Sequence, residues 1–328
     1  MSEPYPTYQT KSAVLFIIFN RPDTTEKVFE RIKATRPARL YVAADGPRDG
    51  RDEESVLCKQ ARDIATQINW DCELKTLFKE KNAGCKEAVS SAINWFFDNE
   101  EEGIILEDDC LPANSFFRFC DLLLDKYRFD TRIRHISGAN FQHGIKRGNA
   151  TYYFSNITHV WGWASWRRTW KDYDKELSRY NESDIREKLE SLFNDSLIVD
   201  SWQHIFKELK AGNIDTWDYQ MGFTNYFNNS LCIVPNINLI SNIGFNDNAT
   251  HTTKADNLSA NIPLMEIDGD ITHPLYFLPE KKADEFTLNY EFDIVERRRK
   301  QNLLRKRFKR WRKSVMQKYA LLIINYFF

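Results

Sequence analysis

An α/β fold, a mostly parallel sheet flanked by helices, is what this sequence predicts, and three observations predict it. Apolar runs at residues 13–19, 39–44 and 103–106 each stop at a polar or acidic cluster, as buried strands do where they leave a core. Segments with helical spacing alternate with these runs, which implies right-handed crossovers between parallel strands. The 328 residues, 42% apolar and 28% charged, suffice to bury a full core of this kind.

Each element follows in turn. The first strand gives way to Asn20-Arg21-Pro22, with Pro22 suited to a first helical turn and Val28, Phe29 and Ile32 at helical spacing behind it. Residues 39–44 repeat the design and end at Asp45-Gly46-Pro47. A helix at about 53–68 leads to a strand at 72–78, and Asn82-Ala83-Gly84 opens a helix that runs to Phe97. The fourth strand, 103–106, ends at Glu107-Asp108-Asp109, with Pro112 shortly after. Further on, the pattern predicts a helix at 114–127, a strand at 132–138, helices near 183–193 and 199–210, a helix start at Asp218 and an extended stretch at 231–235.

Parallel strands bring their carboxyl ends to one edge, so Arg21, Asp45, Lys86 of the 82–86 turn, and Glu107, Asp108 and Asp109 should meet there. Taken singly, Asp45 reads as a turn residue and Lys86 as a solvated helix residue; their convergence is what favours a binding crevice. Three adjacent carboxylates repel one another unless a cation offsets them, and an oxygen-only set suits Mg²⁺ or Mn²⁺. Four of the nine tryptophans fall within residues 161–170. Trp166 and Trp170, one helical turn apart, read as core, while Trp161 and Trp163 flank Gly162, where a sugar could stack or the rings could pack. Asp218 reads either as a helix cap or as a functional carboxylate. The turn-rich stretch 243–252 reads as a lid, with His251 a candidate metal ligand or phosphate contact.

The net charge of −1 conceals an asymmetry. Twelve Lys and Arg and no acid follow from Arg297 onward, leaving residues 1–296 with 34 basic and 47 acidic side chains. Such an acidic body argues against a nucleic-acid partner. In the tail, Leu304, Phe308, Trp311, Val315, Tyr319, Leu322 and Tyr326 recur at steps of three and four between cations, which predicts an amphipathic helix on an anionic membrane surface. The six cysteines lack CxxC spacing and read as reduced thiols. The amino terminus shows no leader-like apolar segment and no stretch reaches spanning length, so a cytoplasmic protein, peripheral on the cytoplasmic membrane face, is expected.

The constellation Asn20-Arg21, Asp45, Glu107-Asp108-Asp109, Trp217-Asp218 and 244–251 resembles the GT-A nucleotide-diphospho-sugar glycosyltransferases. The similarity is greatest to the N-acetylglucosaminyltransferase I type, whose DxD motif takes a Glu-Asp-Asp form, and it covers residues 12–255. It implies a Rossmann-like GT-A catalytic domain over 1–280, with a donor half at about 12–140 and an acceptor half at 141–280, followed by a basic tail at 281–328. By the same resemblance Arg21 meets the donor diphosphate, Asp45 the nucleobase, Glu107 the sugar, Asp108 the ribose and Asp109 the metal. Asp218 is then the base, and 244–251 a closing loop that carries His251 to the metal.

The implied activity is inverting, metal-dependent sugar transfer from a nucleotide-diphospho-sugar, UDP-linked by preference. The acceptor would be a hydroxyl of a carbohydrate or lipid-linked carbohydrate, as in bacterial surface or exopolysaccharide assembly. Family members carry an amino-terminal anchor and stem where this chain has its basic carboxyl-terminal tail. Two alternatives stand beside this reading: a sugar nucleotidyltransferase and a non-catalytic, membrane-adsorbed carbohydrate-binding protein. The first calls for a glycine-rich phosphate loop after the first strand, where this chain has Phe19-Asn20-Arg21-Pro22-Asp23. The second has no need of the acidic triplet, the arginine and Asp218 together.

Overall fold

The computed structural model describes residues 8–244 and 262–327, in the last helix without the side chains of residues 313, 314 and 317–327. Its parallel half consists of β1 (Ala13–Ile18), β2 (Arg39–Ala44), β3 (Glu73–Phe78) and β4 (Glu102–Glu107). Every residue of β1 is buried, since helices cover both faces of the sheet. Val14, Phe16 and Ile18 enter one core, with Val28, Phe29 and Ile32 of α1 (Pro22–Thr35). Ala13, Leu15 and Ile17 enter the other, with Val89, Ile93 and Phe96 of α3 (Cys85–Asn99). Each Val, Leu, Ile or Phe side chain buried in this way contributes about 1.5–3 kcal/mol. Between them, α2 (Asp52–Ala65) connects β2 to β3.

The chain continues through β5 (Cys110–Pro112), α4 (Asn114–Tyr127), β6 (Ile133–Ser137), β7 (Tyr152–Ser155), β8 (Trp163–Trp166) and the single-turn α5 (Arg167–Trp170). Helices α6 (Glu182–Leu192), α7 (Ser196–Lys210) and α8 (Asp218–Phe227) enclose a third core around Trp202, Phe206 and Phe223. Strands β9 (Leu231–Pro235) and β10 (Ile240–Asn242) follow, then α9 (Lys281–Glu291) and α10 (Ile294–Phe327).

The eight-stranded sheet has the order β3-β2-β1-β4-β8-β6-β9-β7, and β10 pairs with β5 apart from it. The expected parallel arrangement holds for the first four strands and for β6 with β9, whereas β8 and the edge strand β7 run against their neighbours. The sense of β8 matters for the site. Trp163 pairs with Ile105 and Trp166 with Glu102, so the residues leading into β8 lie at the edge where β4 ends.

That geometry separates the tryptophans. Trp163 is fully buried, stacked between His135 and Trp217 at 5.0 and 5.8 Å, while Trp161 lies at the cleft. Trp166 and Trp170 are buried as expected, but one ends a strand and the other ends α5, so they do not share one helix. All six cysteines are free thiols. Of the segment assigned to the tail, α9 packs on the body: Ala283 and Leu288 are buried, and Asp284 accepts from Ser155 Oγ and the Asn156 N–H at 2.6 and 3.0 Å.

Candidate active site

A cleft of about 500 Å³ opens at the carboxyl edge of β1, β2 and β4. It lies where strand order reverses: β2 and β3 step away from β1 on one side, and β4 returns to the other. Arg21, Asp45, Glu107, Asp108, Asp109 and Asp218, which come from four separate regions of the sequence, all line it.

The acidic triplet forms the centre. Asp108 is buried, its Oδ2 accepting from the Phe19 N–H at 3.0 Å. Arg21 Nη1 stands 2.8 Å from Asp109 Oδ2 and 3.5 Å from Asp108 Oδ1. Burial pulls the Arg21 guanidinium pKa down, yet the two aspartates outweigh it and the net shift is upward. Burial, and then the charges of Asp109 and Asp108, push the Glu107 carboxyl well above the usual range, with a further push from Asp218. Asp108 is raised by burial and by Asp109, against the pull of Arg21. One guanidinium therefore does not neutralise this cluster.

The wall formed by β2 is fixed by hydrogen bonds. Asp45 accepts from the N–H groups of Gly46 and Ala83 at 2.9 and 3.0 Å and from Asn82 Nδ2 at 2.8 Å; burial still raises its pKa. Glu54, almost wholly buried at the start of α2, accepts from Asn20 Nδ2 at 2.9 Å and from the Arg48 N–H at 2.7 Å, and also pairs with the Arg48 guanidinium. It thereby joins the loop after β1 to the loop after β2. Hydrogen bonding from Arg48 lowers the Glu54 pKa, burial opposing it.

The opposite wall comes from the second half of the chain. Trp217 stacks on Trp163 and sets the start of α8, so that Asp218, the first residue of that helix, faces the cleft. Thr216 Oγ1 donates to Asp218 Oδ1. Asp215 reaches across to the start of α3 and accepts from the N–H groups of Cys85 and Lys86 at 3.0 and 3.1 Å.

Lys86 departs from expectation. It does not line the cleft: its Nζ pairs with Glu176 at 3.1 Å, because the first turn of α3 points that side chain toward the loop after α5. His251 lies outside the described residues; the chain leaves the described region at Gly244, which lines the cleft, just after the Ile243 N–H donates to the Asp109 carbonyl at 2.8 Å. Arg48, Lys79, Asp215 and Asn242 also line the cleft and were not anticipated. Lys79 follows β3 as Asp45 follows β2, so the same edge argument could have found it; Asp215 and Asn242 are placed by tertiary contacts alone.

The donors of the triplet are all carboxylate oxygens, the kind a hard divalent cation takes, and Arg21 offsets their mutual repulsion only in part. Among the described residues no group of three or more His, Cys, Asp or Glu is spaced to enclose a metal. Mg²⁺ and Mn²⁺ commonly take only one or two carboxylates and complete the shell with substrate phosphates and water.

No family model matches the chain, and no curated protein does. Among solved structures it is similar to a cytidylyltransferase from Leptospira borgpetersenii, at 12% identity over 50% of this chain and 64% of that one, with a TM-score of 0.29. A second similarity is to HddC from Yersinia pseudotuberculosis, at 8% identity over 49% of this chain and 80% of the other, TM-score 0.29. A third is to 4-diphosphocytidyl-2C-methyl-D-erythritol synthase from Anaerococcus prevotii, at 11% identity over 66% and 98% of the two chains, TM-score 0.33.

Proposed function

We propose that this chain is an enzyme acting on nucleotide-linked sugars, and that it transfers the sugar of a nucleotide-diphospho-sugar to a hydroxyl acceptor. The observation that carries the reading is the meeting, in one cleft, of the Arg21 and Glu107–Asp109 cluster with the Asp218 carboxylate from the other half of the fold. In this reading Asp45 and its neighbours hold the nucleoside, and Arg21 lies within reach of the diphosphate. A Mn²⁺ or Mg²⁺ at Asp109 would supply positive charge to the departing nucleoside diphosphate.

The work of this chain's own residues is to orient and to move one proton. Asp218 accepts the proton of the acceptor hydroxyl as its oxygen forms the new bond to the anomeric carbon. On the opposite face the bond from that carbon to the phosphate oxygen breaks, and the electron pair leaves with the diphosphate. The anomeric configuration is thereby inverted. Trp161, at the lead into β8, offers a ring against which the sugar or acceptor can stack.

One of the similar structures is a cytidylyltransferase, the kind of enzyme the alternative names, a sugar nucleotidyltransferase, and the two readings are separated by experiment. A panel of nucleotide-sugars is incubated with the protein with and without Mn²⁺, and nucleoside diphosphate release is measured. Slow release that requires Mn²⁺ and is lost in Asp109→Asn is expected. Release unaffected by excess EDTA, or by Asp109→Asn, would remove the metal from the account.

A further inference from the structure

We infer that the part of α10 beyond Lys300 is a membrane-docking helix that lies in the interface of a bilayer carrying anionic lipid. The start of α10 belongs to the body. Ile294 is buried, Arg297 Nη1 donates to Ser201 Oγ at 2.5 Å, and Arg298 pairs with Asp195, both partners being at α7. Arg299 and Lys300 turn back to Glu296 in the same helix. Among the described residues the ion pairs of α10 stop there, and residues 301–312 are all exposed.

On this exposed stretch Leu304, Phe308 and Trp311 are 62%, 57% and 59% accessible, and the Phe308 and Trp311 rings lie 5.6 Å apart on one face. Val315 continues that row, and Tyr319, Leu322 and Tyr326 continue its spacing in sequence. Arg305, Lys306, Lys309, Arg310 and Arg312 occupy the remaining faces, so the apolar row is bordered by cations and by no acid.

The charge pattern decides which occupant this face takes. A second copy of the helix would set two wholly basic segments side by side, and like charges across an interface oppose pairing. A nucleic acid would leave the Leu304, Phe308 and Trp311 row in water. An anionic lipid surface satisfies both parts at once: the apolar row enters the acyl boundary while the cations meet the headgroups. No helix among the described residues is long and apolar enough to cross a membrane, so the helix lies on the surface.

The test is co-sedimentation of the full chain with vesicles of phosphatidylcholine alone, and with about one third phosphatidylglycerol. Three variants are compared: truncation after Lys300, the triple Leu304→Ser, Phe308→Ser, Trp311→Ser, and the triple Arg305→Gln, Lys309→Gln, Arg312→Gln. Wild type should sediment with the anionic vesicles and the truncated chain should stay in solution with its thermal unfolding unchanged. The charge variant should lose about a hundredfold in partitioning, at about fivefold per cation. Equal partitioning into neutral vesicles, or binding that survives the truncation, would overturn the inference. So would tail-dependent dimerisation or duplex RNA binding in place of vesicle binding.

Discussion

Asp218 is where the two roles of one carboxylate can be told apart. As a helix-start residue it would matter to stability; as the base it matters to rate. Asp218→Asn should bind the nucleotide normally and lose about 10²–10⁴ in kcat. Full kcat in that variant, or retention of anomeric configuration in the product, would reduce Asp218 to a carboxylate of the first helical turn. A second test at this scale concerns His135 and His159, both buried. His135 Nε2 lies 2.8 Å from the His159 carbonyl, to which it donates, and its Nδ1 has no partner among the described residues. Burial lowers His135 to about 4 and His159 to about 3, from an ordinary 6.5, with the charge of His135 also acting on His159. Because the folded pKa values lie below the unfolded one, the unfolded chain takes up protons first as pH falls through 6.5. Stability is then lost toward acid, by about 2 kcal/mol per histidine between pH 7 and 5. Glu107 and Asp108, whose pKa values are raised, act in the opposite sense, so the comparison must be between variants. Urea unfolding of His135→Gln with His159→Phe should show a flatter pH dependence than wild type; equal slopes would contradict it.

At the scale of elements, the sheet was the most legible part of the sequence. Helix α4 and strand β9 fall at the predicted residues, and the β1, β2 and β4 runs end where charge begins, because a strand covered on both faces must read as a continuous apolar run. The reversed sense of β8 was not legible. Trp161 and Trp163 share strand parity and would be read onto one face. Gly162, at φ +57°, breaks the strand between them, so one ring enters the core and the other the cleft. Nor did the sequence reveal that Asp215, 130 residues away, serves as acceptor at the start of α3. That contact yields a prediction. Gly84 has φ +82°, and a Cβ there would fall 2.7 Å from Asp215 Oδ2. Asp215→Ala should cost about 1 kcal/mol as a lost cap. Gly84→Ala should cost more in the wild type than in the Asp215→Ala background, since the clash is then gone and only backbone strain remains. Strict additivity in a double-mutant cycle read by urea unfolding would contradict the contact.

Over the whole molecule, the parallel half supplies the triplet, Arg21 and Asp45, and the mixed half supplies Trp161 and Asp218, with the cleft between them. The first set was readable because it follows from strand ends alone. Of the second, Asp218 was singled out by its helix start and by resemblance, and Trp161 only as one of two options; a long-range stack, Trp217 on Trp163, brings Asp218 to the triplet. The central claim is that the bond broken in the donor joins sugar to phosphate. It is tested most directly by phosphorus NMR of the protein incubated with the diamagnetic Mg²⁺, pyrophosphate and a nucleotide-sugar that the panel shows to react. The account predicts growth of the nucleoside diphosphate signals with pyrophosphate unconsumed. Appearance of a nucleoside triphosphate together with a sugar phosphate would mean that the phosphate–phosphate bond is the one attacked, and would contradict it.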